Sequence, residues 1–329
     1  MINKKINRIG ILTSGGDAPG MNACIRAVVR TAIHYNLEIF GIKRGYQGLI
    51  ENDIYKLSSN SVSNIIQRGG TILKSARSLE FKTSEGRLKA HENLTNNNID
   101  ALITVGGDGT LTGALNFGSE YSFPIIGIPG TIDNDLSGTD KTIGFDTATN
   151  TALEAIDNIR DTANSHNRLF FVEVMGRNTG FIAIQAGIGG GAEAILIPEK
   201  ETSIEELAAI LDQGVKSNKS SSIIIVAEGQ ESGRTIEIAK QIKERFSYYD
   251  TRFSILGHIQ RGGTPNSADR LLGSILGAKA VEGLIEGKES CMVGIIKNEI
   301  VYTPFEEILN TKKSINSEYL RIAKLLSSN

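Results

Sequence analysis

The chain is short of cysteine, of net charge and of long apolar runs, and each shortage removes a class of protein. Cys24 and Cys291 are the only thiols in 329 residues. One distant pair supplies neither a disulfide framework nor the paired spacing of a zinc site, so both are expected to be free. Lys and Arg number 35 against 37 Asp and Glu, a formal net charge of −2. That balance removes a broad electrostatic case for nucleic acid or anionic lipid and leaves room for a local basic pocket. No apolar stretch reaches the roughly 20 residues that span a bilayer. The first strand-like run begins at Arg8, which leaves no room for a signal peptide, so the expected address is the cytoplasm. What remains is a soluble globular protein, 40% apolar with a mean hydropathy of −0.10, long enough for two domains.

Glycine is what the chain has in excess, 36 residues and many of them in pairs, against a usual share of about 7%. Paired glycines mark places where backbone must come close to a ligand or to another element. Between them, apolar runs alternate in period. Strands are expected at residues 8–12, 38–43, 101–105, 124–128, 169–174, 194–197, 222–227, 253–256, 292–296 and 300–302. Helices are expected from the first glycine loop through Tyr35 and over residues 61–67, 87–96, 147–164, 204–215, 235–246, 271–285 and 318–326. Ala148, Ala152, Ile156, Ile159 and Ala163 keep a helical period. The consecutive isoleucines in 222–227 suit a strand buried on both faces. This alternation predicts an α/β fold with largely parallel sheets, and no compositional shift marks a linker.

Three carboxylates follow strand-like runs inside residues 102–135. Val105-Gly106-Gly107-Asp108-Gly109-Thr110 combines glycines that clear space for a phosphate chain with an acid able to hold Mg²⁺. A turn stabilised by Asp and Gly is the plainer reading, and Gly-Gly-Asp-Gly loops occur in lipid and NAD kinases too. Pro129-Gly130-Thr131-Ile132-Asp133-Asn134-Asp135 places two acids at i and i+2 after the next strand. One can accept a hydroxyl proton while the other supports a metal, the division of labour in phosphoryl transfer. Upstream, Gly15-Gly16-Asp17 joins a strand to a helix and is either a phosphate cradle or a tight turn needing positive φ. It has neither the dinucleotide-fold spacing nor the Gly-Lys-Ser/Thr ending of a P-loop. Basic groups stand in further loops at Arg77, at Met175-Gly176-Arg177 and in the segment His258 to Pro265, which includes Arg261. Several arginines and a histidine at separate strand ends suit two phosphorylated ligands.

With these motifs in place, the sequence resembles the bacterial ATP-dependent 6-phosphofructokinases over essentially its whole length, most specifically through 129–135 and 257–265. The resemblance implies two Rossmann-like three-layer α/β/α domains with mainly parallel sheets and an active site in the cleft between them. Residues 1–143 plus 259–304 would form the larger, ATP-binding domain, and 144–258 plus 305–329 the smaller domain for the sugar. It implies phosphoryl transfer from MgATP to the 1-hydroxyl of fructose 6-phosphate, the committed step of glycolysis, in a homotetramer. Carried over by motif, Gly15, Arg77, Ser78, Gly107, Asp108, Gly109 and Thr110 would bind the nucleotide, and Asp108 and Asp135 the Mg²⁺. Asp133 would be the general base, Thr131 would orient the phosphoryl group and Arg177 would stabilise the transition state. Thr131, Ile132, Asp133, Met175, Gly176, Arg177 and Glu228 would contact the sugar. His258 and Arg261 would hold its 6-phosphate, together with Arg168 and Arg252 from a neighbouring subunit.

The resemblance also addresses donor and regulation. The pyrophosphate-using branch of this superfamily carries Asp where Gly109 stands and Lys where Gly130 stands, so ATP is the expected donor. Arg26, Arg30, Arg160, Gly190, Glu193 and Lys219 match the family's site for ADP and phosphoenolpyruvate effectors. Ser59, Ser217 and Ser220 stand where basic residues occur in that site, which predicts weak or altered effector control.

Overall fold

The computed structural model describes residues 6–165, 168–216, 221–229, 233–246 and 249–327. Contacts divide the chain into two units. The first holds Met1–Ile132, Leu136–Thr147 and Arg261–Lys313, and the second holds Asp133–Asp135, Ala148–Gln260 and Ser314–Asn329. Residues 305–313, expected with the smaller domain, group with the first unit because Phe305 and Ile308 are buried in its core.

The first unit is built on strands β1 (Arg8–Thr13), β2 (Glu38–Ile42), β3 (Ile54–Lys56), β4 (Ala101–Gly106) and β5 (Ile125–Pro129). The second contains β6 (Arg168–Val174), β7 (Ala194–Leu196), β8 (Ser222–Ala227) and β9 (Asp250–Ile255), before the chain returns to the first with β10 (Cys291–Ile296) and β11 (Glu299–Pro304). The first sheet runs β11-β10-β5-β4-β1-β2-β3. Its interior pairs are parallel, and the two edge strands β3 and β11 pair antiparallel. After β1 the chain adds β2 and β3 on one side, then returns to add β4 on the other. That reversal makes the gap between β1 and β4 a topological switch point, where open α/β sheets hold ligands outside the carboxyl ends of the strands.

Burial explains why these strands are interior. Ile9, Ile11, Leu102, Ile103, Ile125 and Ile126 are all inaccessible to solvent, as expected where both sheet faces are covered. Helix Met21–His34 turns Ile25, Val28 and Val29 inward and packs against helix Ser267–Ile285. A β-carbon on Gly277 would stand 2.6 Å from the Cys24 carbonyl, so the contact requires glycine. Burial pushes both thiols upward, Cys291 to about 11, which makes them poor nucleophiles near neutral pH.

In the second unit the parallel order is β7-β8-β6-β9. Ile223, Ile224 and Ile225 are fully buried, so the isoleucine run does fill both faces of β8. Leu169, Phe171, Leu207, Leu211 and Ile242 pack with Ile224 as its core. Among the described residues no helix is long and apolar enough to cross a membrane.

Local chemistry overrode the sequence pattern in several places. The helix expected over 61–67 is a single 3₁₀ turn, Asn60–Val62, and Asn64 at φ 54° stops it from continuing. Helix Gly45–Ile50 begins after a left-handed Arg44 at φ 60°, which no periodicity announces. Helix Phe181–Gly189 is apolar almost all round, so it has no polar face to set a period. Helix Ser84–Asn96 starts three residues ahead of 87 because Thr83 caps it, accepting from the Gly86 amide at 3.1 Å.

Candidate active site

Within the first unit, three loops meet at the switch point. The Ser14 amide donates to the Val105 carbonyl at 3.0 Å. Thr110 Oγ1 donates back to the Ser14 carbonyl at 3.1 Å. Ser75 donates to the Gly15 carbonyl, and Thr13 Oγ1 donates to the Lys74 carbonyl at 2.8 Å. Gly15 adopts φ 83°, which a side chain would strain. The loops carrying Gly15, Arg77 and Gly107–Thr110 are therefore bonded into one rim, with the Arg77 side chain exposed on it. Ser78 is turned inward, donating to Gln47 Oε1 at 2.7 Å and accepting from the Phe81 amide at 3.1 Å.

Asp108 opens helix Asp108–Tyr121 in an exposed first turn behind Gly107. The helix dipole at that N-terminal turn favours an anion such as phosphate. A β-carbon on Gly109 would meet nothing within 4 Å, so this rim is open. Thr131 lies beside the same loop, its Cβ 3.5 Å from where a Gly107 β-carbon would stand. The Thr131 carbonyl accepts from Thr142 Oγ1 at 2.6 Å, and the Ile143 amide donates to the Pro129 carbonyl at 2.9 Å. Gly130 is enclosed: a β-carbon there would lie 2.9 Å from Val105 Cγ1 and 3.0 Å from Met21 Cε.

The division between units falls at Ile132 and Asp133, inside the second acidic motif. Asp133 is buried, Asn134 takes a left-handed φ of 52°, and Asp135 is half-buried. The Asp133 carbonyl accepts from Thr179 Oγ1 at 3.3 Å, and the same hydroxyl donates to the Gly176 carbonyl at 3.0 Å. The expected base thus stands beside the expected sugar loop.

The other sugar residues emerge at one end of the second sheet. β6 ends into Met175-Gly176-Arg177, β8 into Glu228, and β9 into the 3₁₀ turn Gly257–Arg261 that carries His258. Glu228 Oε1 accepts from the Arg177 amide at 2.8 Å and from the Gly176 amide at 3.3 Å. Gln260 Oε1 accepts from the Met175 amide at 2.8 Å. Arg177 has φ 53°, an unusual conformation for a side chain of its size. It is held there by these bonds with the guanidinium exposed. His258 is exposed, while Arg261 turns to the first loop and donates to the Asp17 carbonyl at 3.4 Å.

Arg168 and Arg252 lie at the opposite end of the same sheet. Arg168 starts β6, and Val174 ends it six residues on, about 20 Å away at strand rise. Both arginines converge on Asp250 Oδ2, Arg168 Nε at 3.2 Å and Arg252 Nη2 at 3.0 Å. Burial pushes the Asp250 carboxyl up, but the bonds from Arg252 and Arg168 outweigh it and leave it below the ordinary value.

Of the expected effector residues, Arg26 and Arg30 sit one turn apart on helix Met21–His34 of the first unit. In the second, Arg160 donates to the Gly190 and Gly191 carbonyls, and the Glu193 carboxylate accepts from the Ile223 amide at 2.6 Å. Ser59 is exposed, whereas Lys219, Ser217 and Ser220 lie outside the described residues. A cavity of about 130 Å³ under the C-terminal helix Ser317–Ser327, lined by Leu196, Ile210 and Leu320, touches Glu193 and, among the described residues, no other expected site residue.

The sequence reading missed Gln260, Asp250 and Asp269. Gln260 and Asp269 are inaccessible or nearly so, and each stands next to an arginine in a polar-looking stretch that gives no sign of its distant partner. Burial raises the Asp269 carboxyl, opposed by hydrogen bonds from Thr147 and Gly144.

The likeness to known proteins extends over nearly the whole chain. Residues 8–284 match the profile of the family described as Phosphofructokinase. ATP-dependent 6-phosphofructokinase 2 of Bacteroides thetaiotaomicron is 53% identical over 319 residues, 97% of this chain and 98% of that protein. ATP-dependent 6-phosphofructokinase 1 of Thermus thermophilus is 52% identical over 98% of this chain and all of its own length. The phosphofructokinase structure from Saccharomyces cerevisiae superposes with a TM-score of 0.89 at 37% identity, covering 98% of this chain. The chain spans about half, 48%, of that yeast polypeptide. A pyrophosphate-dependent phosphofructokinase from Marinobacter aquaeolei shares the fold, with a TM-score of 0.84 at 21% identity over 98% of this chain and 92% of its own. With its sequence matched over nearly its whole length, this chain belongs to the phosphofructokinase family.

Proposed function

We propose that this chain transfers the γ-phosphoryl group of ATP to the 1-hydroxyl of D-fructose 6-phosphate, giving fructose 1,6-bisphosphate and ADP, the committed step of glycolysis. The observation that carries this reading is the placement of its motifs. The nucleotide loops meet at the switch point of the first sheet, and the sugar loops gather at the carboxyl end of the second, beside Asp133. On this reading, the first unit serves ATP and the second serves the sugar, and the enzyme works in the cytoplasm.

The chemistry is mainly positioning and charge neutralisation. The first turn of helix Asp108–Tyr121, with Gly15, Arg77, Ser78 and Thr110, binds the nucleotide phosphates. Thr131 orients the transferring group, Asp133 accepts the proton of the sugar hydroxyl, and Arg177 stabilises the charge that develops. Ile132, Met175, Gly176 and Glu228 shape the sugar site. Asp108 and Asp135 would hold Mg²⁺. Among the described residues no three acids, histidines or cysteines cluster as a metal cage. That donor set suits an ion carried by one or two carboxylates and the nucleotide itself, and such an ion supplies neutralisation of phosphate charge.

The 6-phosphate is held by His258 and Arg261, with Arg168 and Arg252 supplied by a neighbouring copy in a homotetramer. The separation along β6 supports this, because one copy cannot bring both ends of that sheet to one phosphate. For ADP or phosphoenolpyruvate, Arg26, Arg30, Arg160, Gly190, Glu193 and Lys219 would form the site. With serine at 59, 217 and 220, the missing charge-assisted contacts, each worth about 1.5–3 kcal/mol, leave it weak. Activation by micromolar ADP would contradict this.

A coupled assay tests the whole reading. Purified protein is given fructose 6-phosphate with MgATP and, separately, with pyrophosphate. Turnover with MgATP and none with pyrophosphate is expected; folded protein without ATP-dependent turnover would overturn it.

A further inference from the structure

We infer that Asp269 is a positioning residue for the phosphoryl-transfer loop, its buried carboxylate clamping the segment 142–147 that backs Thr131. The inference rests on the function proposed above. It begins at a helix cap. Asn266 is the N-cap of helix Ser267–Ile285, and its side chain accepts from the Asp269 amide at 3.0 Å. An acid at this position can reach back to the cap's own amide, as the Glu or Gln of a capping box does. Here the Asn266 amide donates to Thr147 Oγ1 at 3.0 Å instead.

The freed carboxylate is spent 122 to 125 residues away. Asp269 accepts from the Gly144 amide at 2.7 Å, the Thr147 amide at 2.7 Å and the Thr147 hydroxyl at 2.6 Å. It is 1% exposed. A carboxylate buried this far costs more than one capping its own helix from solvent, so the three donors must hold something that matters. Gly144 immediately precedes helix Phe145–Asn164 and Thr147 lies in its first turn, so the carboxylate holds the start of that helix.

The clamped segment touches the first glycine loop and the second acidic motif. Gly144 has φ 103°, and a β-carbon there would run into Ala18 and lie 3.2 Å from Ile132 Cγ2 and Pro19 Cδ. One residue earlier, the Ile143 amide holds the Pro129 carbonyl at 2.9 Å; two earlier, Thr142 Oγ1 holds the Thr131 carbonyl at 2.6 Å. Every link from Asp269 to Thr131 lies in the first unit. Asp269 touches no reacting atom; it fixes the strip of backbone against which Thr131 is set.

Asp269→Asn keeps the size of the side chain and sets an NH₂ against donors. The expected result is a fall in kcat of about 10–100-fold with the KM for ATP within about twofold. Thr147→Val, which loses the hydroxyl, should share the fall, and Thr147→Ser should restore it. The Thr147 pair keeps the test decisive if Asp269→Asn does not fold. Independently of catalysis, amide hydrogen exchange at Ile143 and Gly130 should quicken in Asp269→Asn and Thr147→Val while Ile224 in the second unit stays protected. Folded variants with wild-type kcat, or Thr147→Val and Thr147→Ser behaving alike, would overturn the positioning role. Unchanged exchange at Ile143 and Gly130 would overturn it also. Absence of turnover in the wild type would instead overturn the proposed reaction, with the exchange measurement still deciding the clamp.

Discussion

Asp133→Ala is expected to lower kcat by about 10²–10⁴-fold, the usual contribution of a positioned acid or base, while fructose 6-phosphate still binds. Asp133 is 3% exposed, and a buried carboxylate is kept only where it has work or partners. Its backbone is fixed separately, through the Thr179 hydroxyl that also bonds Gly176. Removing the side chain therefore leaves the loop tied to the sugar residues. Asp133→Asn sharpens the test, because it keeps the shape and removes only the capacity to take a proton. Steady-state kinetics with calorimetric sugar binding would check both variants. Loss of kcat with retained affinity supports the base role, and near-normal turnover in Asp133→Asn removes it.

The second large effect is expected at the donor side, where two glycines that look equivalent in sequence differ in space. A β-carbon at Gly109 meets nothing within 4 Å, whereas one at Gly130 meets Val105 and Met21 at 2.9 and 3.0 Å. Gly109→Asp should thus fold normally and place a negative charge in the helix turn that receives phosphate. We expect kcat/KM for ATP to fall by at least about tenfold, since one charge-assisted contact is worth about 1.5–3 kcal/mol, with little change in Tm. Gly130→Lys should lose ATP use and thermal stability together, because overpacking costs typically about 1–3 kcal/mol. Unchanged kcat/KM for ATP in Gly109→Asp would show that this position does not screen the donor. The fold cannot make the choice, since the Marinobacter pyrophosphate-dependent structure shares it at a TM-score of 0.84.

What could be read from sequence follows the range of the interactions involved. The loops at Gly15, Asp108 and Asp133 are local events, a buried strand followed by turn residues, and all three appear at strand ends as expected. Helix Phe145–Asn164 was visible because one face is apolar at a steady period. Helix Phe181–Gly189 was not, for want of a polar face. The supporting side chains were invisible for a different reason. Gln260 serves Met175, 85 residues away, and Asp269 serves Gly144 and Thr147, more than 120 away. Nothing near Asp269 announces that it leaves its own helix cap. The two ends of the second sheet also needed topology: Arg168 and Met175 are close in sequence and lie at opposite ends of β6.

The most direct test follows the phosphorus itself. Wild-type protein is incubated with fructose 6-phosphate and ATP labelled in its γ-phosphoryl group, and the product is separated and its ester position assigned by phosphorus NMR. The account predicts the label at carbon 1 of fructose 1,6-bisphosphate, formed in step with ADP. Label found only in inorganic phosphate, or at another position on the sugar, would contradict it.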